Sequence, residues 1–380
     1  MKVIVFDLPA SESGALVVLK DFYKFVVDNS PSDIQWTFVV STNVLDDIPA
    51  GSASGRIMVH KYPRIKKNWI SRIYFELMKS SRLVRKSRAD VVFSLQNIIV
   101  FFVKVPQIVY VHQSLPYALK RFSYIRRDER FLAIYADIFR FLIGLSCKIA
   151  SRVVVQTSWF KDSLVRRYRL SPKKVAVVPA SLDVHVHVSP KTRKANEFFY
   201  PTTPYVYKNI DLIIKAVALL VKDGLSPKVI LTINGQENNY SRRIHARIVA
   251  KKLQKNFHFL GRVSRDEIFQ LYQSTTLLFP SWLESFGLPL LEGRTAGAPI
   301  IATDTPFARE ILNGYANASF CSLSDERELA LAMREAMERP TISSEVKTVD
   351  RIIDIKTETR WGDVINLLIN ASRQLPATKA

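Results

Sequence analysis

The chain has 380 residues, of which 48% are apolar, with a formal net charge of +21 and two cysteines, Cys147 and Cys321. That length allows two separate cores, and that composition excludes a disordered chain. Two cysteines exclude a disulfide framework or a cysteine metal cluster, so a reducing cytoplasm is the simplest setting.

No run reaches the roughly 18 to 20 apolar residues of a membrane span. The nearest, residues 131–150, carries Asp137, Arg140 and Lys148 and reads as an amphipathic helix. The charge is unevenly spread: residues 1–190 hold 29 Lys/Arg against 14 Asp/Glu, and the remainder 26 against 20. Basic residues crowd 61–88 and 120–130, interleaved with Tyr62, Trp69, Ile70, Tyr74, Phe75, Phe122 and Tyr124. Such a surface suits an anionic membrane, a polyanionic substrate or a nucleic acid. Aromatic spacing near three and four favours the membrane interface over single-stranded nucleic acid.

In chain order, the apolar run Lys2 to Phe6 is too short for a signal peptide and predicts a first strand. A loop with Ser11, Ser13 and Gly14 follows, then a helix over 15–27. This opens a Rossmann-like half, although no G-x-G-x-x-G is present. Gly14 either admits a ligand close to the backbone or serves the turn. Strands are predicted over 36–40 and 55–59, and a basic amphipathic helix over 69–88 with Ile70, Ile73, Leu77 and Leu83 on one face. A strand over 90–94 ends in Gln96 and Asn97. Another over 106–111 places His112 at its carboxyl end, beside Gln113, where open α/β sheets bind ligands. Residues 151–156 read as a buried strand leading into a helix capped near Thr157 or Ser158, and Val175 to Val178 closes the first sheet. Residues 184–196 are polar, basic and non-periodic, which suits a linker.

The second half restarts with a strand over 197–200, a proline-bearing loop through Lys208 and Asn209, and a helix over 210–222. A lysine at the start of a helix that follows a strand is well placed for a pyrophosphate. A strand over 229–233 ends at Asn234-Gly235, and residues 257–263 form a short strand and turn that includes Arg262 and Val263. The run Thr276 to Phe279 stops at Pro280. After the turn Phe286-Gly-Leu-Pro289 comes a helix over 290–296, ended by Gly297 and Pro299, and then a buried strand over 300–302. Glu284 lies in the loop and Glu292 early in the helix. Carboxylates accept hydrogen bonds from sugar hydroxyls; alternatively, Glu284 is a solvated loop residue and Glu292 a first-turn acid complementing the helix dipole. A last helix starts at Arg360-Trp361, with Val364, Leu367, Leu368 and Ala371 on one face.

The stretch Glu284-Ser-Phe-Gly-Leu-Pro-Leu-Leu-Glu292 resembles the E-x7-E motif of the retaining GT-B glycosyltransferases of family four. The match extends through Gly297, Pro299 and Ile301-Ala-Thr-Asp304. The resemblance implies an α/β fold of two Rossmann-like domains with parallel sheets and an interdomain cleft. Residues 1–185 would form the acceptor domain, 186–196 a linker, 197–355 the nucleotide-sugar domain, and 356–380 a helix crossing back, anchored by Trp361. It further implies Glu284 at the hexose, Glu292 on the ribose, and the backbone of Phe286, Gly287 and Leu288 facing the diphosphate or sugar. Val109 to Pro116 is similar to the segment whose histidine reaches the donor sugar, which assigns that place to His112. Lys208 matches the lysine of the diphosphate clamp. The arginine that accompanies it in the family is missing, and Tyr200-Pro-Thr-Thr stands there, leaving Arg262 or Arg265 to supply the second charge. The turn before the linker, Pro179 to Asp183, also departs from the family in lacking its usual glycine. Arg262, Val263, Gly235 and Gly14 would lie by the donor, and Gln96, Asn97 and Gln113 by the acceptor.

The activity implied is retaining transfer of a hexose from a nucleotide-diphosphate sugar to a lipid-linked saccharide, in O-antigen or similar surface polysaccharide synthesis. The chain would work in the cytoplasm, on the inner face of the plasma membrane. No D-x-D pair is present, so neither a metal nor a cofactor beyond the donor is expected. The rivals are a GT-B sugar-nucleotide epimerase and a non-catalytic sugar-nucleotide-binding protein. A nucleic-acid partner is not expected, because no recognition helix or RNA-stacking signature appears.

Overall fold

In the computed structural model, the described residues are 1–10, 13–48, 55–63, 65, 74–179, 183–188, 193–338, 351–356 and 361–373. Seven short strands make the first sheet: β1 (Lys2–Asp7), β2 (Gln35–Val40), β3 (Ile57–Lys61), β4 (Val91–Ser94), β5 (Gln107–Tyr110), β6 (Arg152–Val155) and β7 (Val175–Val177). They pair in the order β3-β2-β1-β4-β5-β6-β7, every pair parallel. A parallel sheet is covered on both faces, so its strands are continuously apolar. β1, β4 and β5 are accordingly buried almost throughout. Four helices connect these strands: α1 (Ser13–Asn29), α2 (Ser80–Ser87), α3 (Arg130–Ile149) and α4 (Ser158–Tyr168).

Six more parallel strands form a second sheet. After β8 (Asp183–Val188) these are β9 (Glu197–Tyr200), β10 (Lys228–Leu231), β11 (Phe257–Phe259), β12 (Thr276–Phe279), β13 (Ile300–Thr303) and β14 (Ala318–Cys321), in the order β11-β10-β9-β12-β13-β14. Their connecting helices are α5 (Ile210–Lys222), α6 (Asn239–Ala250), α7 (Arg265–Ser274), α8 (Leu288–Thr295), α9 (Pro306–Ile311) and α10 (Glu326–Glu338). β8 pairs antiparallel with β15 (Arg351–Lys356), with Val186 opposite Ile353. The sequence reading had this stretch as the start of a linker. Asp183-Val-His-Val-His-Val188 in fact alternates with the two-residue period of a strand, which its polar, basic character obscured.

Contacts divide the chain into two units. One comprises Met1–Gln113, Ile138–Ser181 and Glu358–Ala380, and the other Ser114–Asp137 and Leu182–Thr357. Sequence order alone had kept residues 114–137 with the first sheet. In the structure Phe122, Leu132, Ala133 and Ala136 are buried in a cluster with Trp282 and Leu283 of the second unit. In the first unit, α11 (Trp361–Ser372) buries Trp361, Val364, Ile365 and Leu368 among Phe22, Trp36, Phe93 and Tyr110.

Not every aromatic residue of the basic stretches faces outward. Tyr62 and Phe75 pack edge to face at 4.8 Å beside a buried cluster, with the Lys79 ammonium 4.5 Å over the Tyr62 ring. Phe122 turns inward, whereas Tyr74 and Tyr124 are exposed. Trp69, Ile70 and Ile73 lie outside the described residues, as does the Leu77 side chain. No described helix is long and apolar enough to cross a membrane.

Candidate functional site

In the second sheet the strand order reverses between β9 and β12, which lie side by side. Open α/β sheets bind ligands outside the carboxyl ends of the strands at such a point. Lys208 is on the loop after β9 and Glu284 on the loop after β12. Bonds to main-chain carbonyls zip the two loops together. The Trp282 N–H donates to the Tyr207 carbonyl at 3.0 Å, and the Ser281 hydroxyl donates to the same oxygen at 3.2 Å. Asn209 donates through Nδ2 to the carbonyls of Pro280 and Leu323, each at 3.2 Å. Its φ of 56° is left-handed, a conformation asparagine tolerates better than most residues. The Tyr200 hydroxyl donates to the Lys208 carbonyl at 3.0 Å.

This frame brings Lys208 Nζ to 2.6 Å from Glu284 Oε1, with the two side chains only 13% and 15% exposed. Residues assigned separately to the diphosphate and the hexose therefore form one ion pair. The ammonium has three N–H donors, so the pair does not exhaust it. Tyr207, which nothing in the sequence pattern singled out, places its ring centroid 5.5 Å from Nζ and stacks on Tyr205 at 5.4 Å. Burial, and then the nearby Glu284, hold the Tyr207 phenol well above its ordinary range. Val206–Lys208 is a 3-10 turn, so Lys208 precedes α5 and its first turn instead contains Asp211, the charge a helix N-terminus favours.

The sequence predicts a helix from Leu290, but α8 begins at Leu288 with Gly287 as its N-cap at φ 94°. Proline is tolerated in a first helical turn, so Pro289 belongs to the helix and not to the loop its residue type predicts. Glu292 is consequently the fifth helical residue, beyond the first turn, and dipole complementation does not explain it. Its carboxylate is held from α7: the Tyr272 hydroxyl donates to Oε2 at 3.0 Å and Arg265 Nη2 to Oε1 at 3.2 Å. Burial pushes Glu292 above the usual carboxylate range, with Arg265 opposing. Arg265, a candidate for the missing diphosphate base, is thus occupied by Glu292, and Arg262 is exposed on the turn after β11. Phe286 is buried, while Leu288 is half-buried at the start of α8. Pro289 brings no N–H and the Leu290 N–H donates to the Gly287 carbonyl at 2.9 Å, so in this turn it is the Leu288 N–H that lies ahead of the helical bonding. Gly235 has φ 82°, and a Cβ there would face His245 and Phe259 at 3.5 and 3.6 Å. Its lack of a side chain serves the turn. Val263 is half-buried beside Arg262.

The first sheet reverses between β1 and β4. Gln96 and Asn97 follow β4, and His112 and Gln113 follow β5. Gly14 lies in the first turn of α1, not in the loop before it, because that helix begins two residues earlier than its apolar periodicity indicated. Asn97, at φ 70°, accepts the N–H groups of His112 and Gln113 on Oδ1 at 2.7 and 2.8 Å. Those two bonds fix the amide orientation and turn Nδ2 toward His112 Nε2 at 3.4 Å. Nε2 is then the acceptor, and the imidazole proton resides on the buried Nδ1. Asn97 is thereby committed to holding the backbone that carries His112. Gln96 is buried beside it.

Burial lowers the His112 pKa to about 4. The unfolded chain, near 6.5, takes up the proton first, so this contribution is complete above pH 6.5 and drains as pH falls toward 4. The loss is at most about 3 kcal/mol. His112→Gln is expected to flatten that part of the stability profile, measured by urea titration from pH 7.5 to 4. An unchanged slope would contradict the neutral, half-buried imidazole.

Two family models match this chain. Residues 186–354 match "Glycosyl transferases group 1", and residues 38–186 match "Glycosyltransferase Family 4". Between them the two glycosyltransferase models match residues 38–354, each covering less than half of the chain. It is 28% identical to the O-antigen chain mannosyltransferase RfbU of Salmonella typhimurium, over 53% of this chain and 55% of that protein. It is 26% identical to the D-rhamnosyltransferase WbpZ of Pseudomonas aeruginosa, over 59% and 58% respectively. These matches span a little over half the length of each relative. Among solved structures, Anabaena Alr3699/HepE in complex with UDP-glucose superposes with a TM-score of 0.64 at 16% identity, covering 89% of this chain and 90% of that one. The fold is that of the GT-B glycosyltransferases, two parallel-sheet Rossmann-like units.

Proposed function

We propose that this chain is a retaining hexosyltransferase that takes its sugar from a nucleotide-diphosphate donor and passes it to a lipid-linked saccharide of a surface polysaccharide. The observation that carries the proposal is the cluster at the strand reversal: Lys208 on Glu284, with Glu292 held by Tyr272 and Arg265 eight residues further on. The two family matches support the transferase class. RfbU and WbpZ, named for O-antigen mannosyl and D-rhamnosyl transfer, support the acceptor class, and the UDP-glucose bound by Alr3699/HepE supports the donor class.

In this reading the donor diphosphate draws on the Lys208 ammonium and on the backbone N–H groups of Gly287 and Leu288 at the start of α8, which stabilise the charge that grows as the sugar bond breaks. The ammonium then does the work for which other transferases use a divalent cation. Glu284 accepts hydrogen bonds from sugar hydroxyls, and Glu292 from the ribose. The acceptor oxygen attacks the anomeric carbon on the face the diphosphate leaves, and the departing phosphate oxygen takes the acceptor's proton. The acceptor's lipid places the reaction at the inner face of the plasma membrane, where the basic surface meets anionic headgroups.

The test incubates the chain with UDP-, GDP-, dTDP- and CDP-sugars and a membrane extract carrying lipid-linked saccharides. One donor is expected to raise the melting temperature, by RT ln(1 + [L]/Kd) in stability, and to yield a product whose anomeric configuration matches the donor's. An inverted product would refute retention. Binding without transfer would leave a sugar-nucleotide-binding protein, and a new sugar nucleotide without acceptor an epimerase.

A further inference from the structure

We propose that the outward face of residues 119–134, in the second unit, is the surface by which this chain docks on an anionic lipid bilayer. The inference rests on the lipid-linked acceptor reading above and gives it a location. Five apolar side chains of this short stretch stand in solvent: Leu119, Tyr124, Ile125, Phe131 and Ile134, with Ile125 92% and Phe131 73% exposed. Between them Lys120, Arg121, Arg126, Arg127 and Arg130 are exposed as well.

The acidic residues of the stretch and its flank offset only part of that charge: Glu129 pairs with Arg126 and Asp128 with Arg243, so Lys120, Arg121, Arg127 and Arg130 outnumber Asp137, the exposed carboxylate of residues 119–137. Glu129 is buried and accepts the Ser123 N–H at 2.8 Å and Arg126 Nη1 at 3.2 Å. Asp128 pairs with Arg243 at 2.8 Å. Asp137 accepts the Tyr124 hydroxyl. What faces outward is cationic and apolar together.

That combination selects the occupant. Cations at headgroup level with Ile and Phe in the acyl boundary is the chemistry of an interfacial anchor. A nucleic acid would use the cations, but it has nothing to offer Leu119, Ile125 and Ile134, which cannot stack on bases as aromatic rings do. A second copy would bring a like-charged patch on a chain of net charge +21.

The inward face of the same stretch gives docking a consequence. Phe122 and Leu132 pack with Trp282 and Leu283, and Phe122 lies 5.3 Å from Trp282, ring to ring. Leu283 directly precedes Glu284. The patch is thus the outer side of the wall whose inner side holds the Glu284 loop, so seating it on a bilayer sets that loop next to the lipid phase.

Flotation of the full chain on phosphatidylcholine vesicles, with and without phosphatidylglycerol, tests this. Wild type is expected to float with the anionic vesicles at low salt and to be released at high salt. The double variants Ile125→Glu/Phe131→Glu and Arg121→Glu/Arg127→Glu are expected to float at least roughly tenfold less. Both should keep wild-type donor binding in lipid-free solution, because these side chains point away from the core. Wild type that fails to float, floats equally on pure phosphatidylcholine, or is matched by the variants overturns the proposal. So does a dimer in light scattering that the variants abolish, which would make a second copy the occupant. A chain that floats but binds no donor would sink the transferase reading and leave the surface standing. Donor binding without flotation would do the reverse.

Discussion

Lys208→Met is expected to reduce sugar transfer by about 100-fold or more and to destabilise the second unit by about 2–3 kcal/mol. The two effects have different origins. Transfer falls because the ammonium is the charge nearest Glu284, on the loop that would face the leaving diphosphate. Stability falls because a largely buried carboxylate loses its partner, and breaking a buried pair by removing one member leaves an uncompensated charge. The residual exposure of the two side chains, 13% and 15%, sets the estimate toward the low end of what buried pairs show. Adding Glu284→Gln removes the stranded charge. The double variant should regain most of the lost stability, to within about 1 kcal/mol of wild type, and none of the activity. Urea unfolding and initial-rate measurements on the single and double variants separate the two effects. If activity returned together with stability, Lys208 would be a structural residue and the diphosphate assignment would fail.

Trp361→Ala is expected to cost the first unit about 3–5 kcal/mol. The indole is 2% exposed and lies 4.9 Å from the Phe22 ring and 5.7 Å from Tyr110, centroid to centroid. Its Nε1 donates to Asp21 Oδ2 at 2.6 Å. Truncation empties a site walled by aromatic rings, which cannot collapse into the space, and removes the indole N–H that Asp21 accepts. Trp361→Phe should recover most of the loss, leaving about 1–2 kcal/mol for the missing hydrogen bond. Denaturation followed by calorimetry is the check. A loss under about 1 kcal/mol would mean that α11 is held by its aliphatic face alone.

Much of the architecture was legible in the sequence because buried parallel strands read as unbroken apolar runs. Glu197–Tyr200 and Thr276–Phe279 have the bounds their composition indicates, and the apolar periodicity from Ile210 to Lys222 delimits α5. β8 was missed because its valines alternate with histidines and its partner strand comes from the far end of the second unit. The start of α8 was displaced by reading Pro289 as a loop residue. The sequence singles out Lys208, Glu284 and Glu292 but not their pairings. Lys208 and Glu284 are 76 residues apart, and only the adjacency of β9 and β12 brings them together. Tyr272 on Glu292, and Tyr207 beside Lys208, had no signal at all, since the first lies on a mixed polar helix and the second in a proline-bearing loop, and no local pattern says which way either ring turns. Asn97 looked like a ligand-facing polar residue, and the structure turns its side chain onto the backbone of His112 and Gln113.

The interleaving of the two units bears on how this chain is made. A cut anywhere in residues 182–196 severs both units at once. The front fragment keeps Phe122 and Leu132 without Trp282 and Leu283, and lacks the Trp361 helix that completes the first core. The rear fragment carries that helix with nothing to cover. Neither half is therefore an autonomous folding unit, although each contains a whole parallel sheet. During synthesis the first sheet must wait, with its Phe22 and Tyr110 surface bare, until residues beyond 361 have left the ribosome. Split expression at the linker should give two insoluble pieces, which become soluble when produced together.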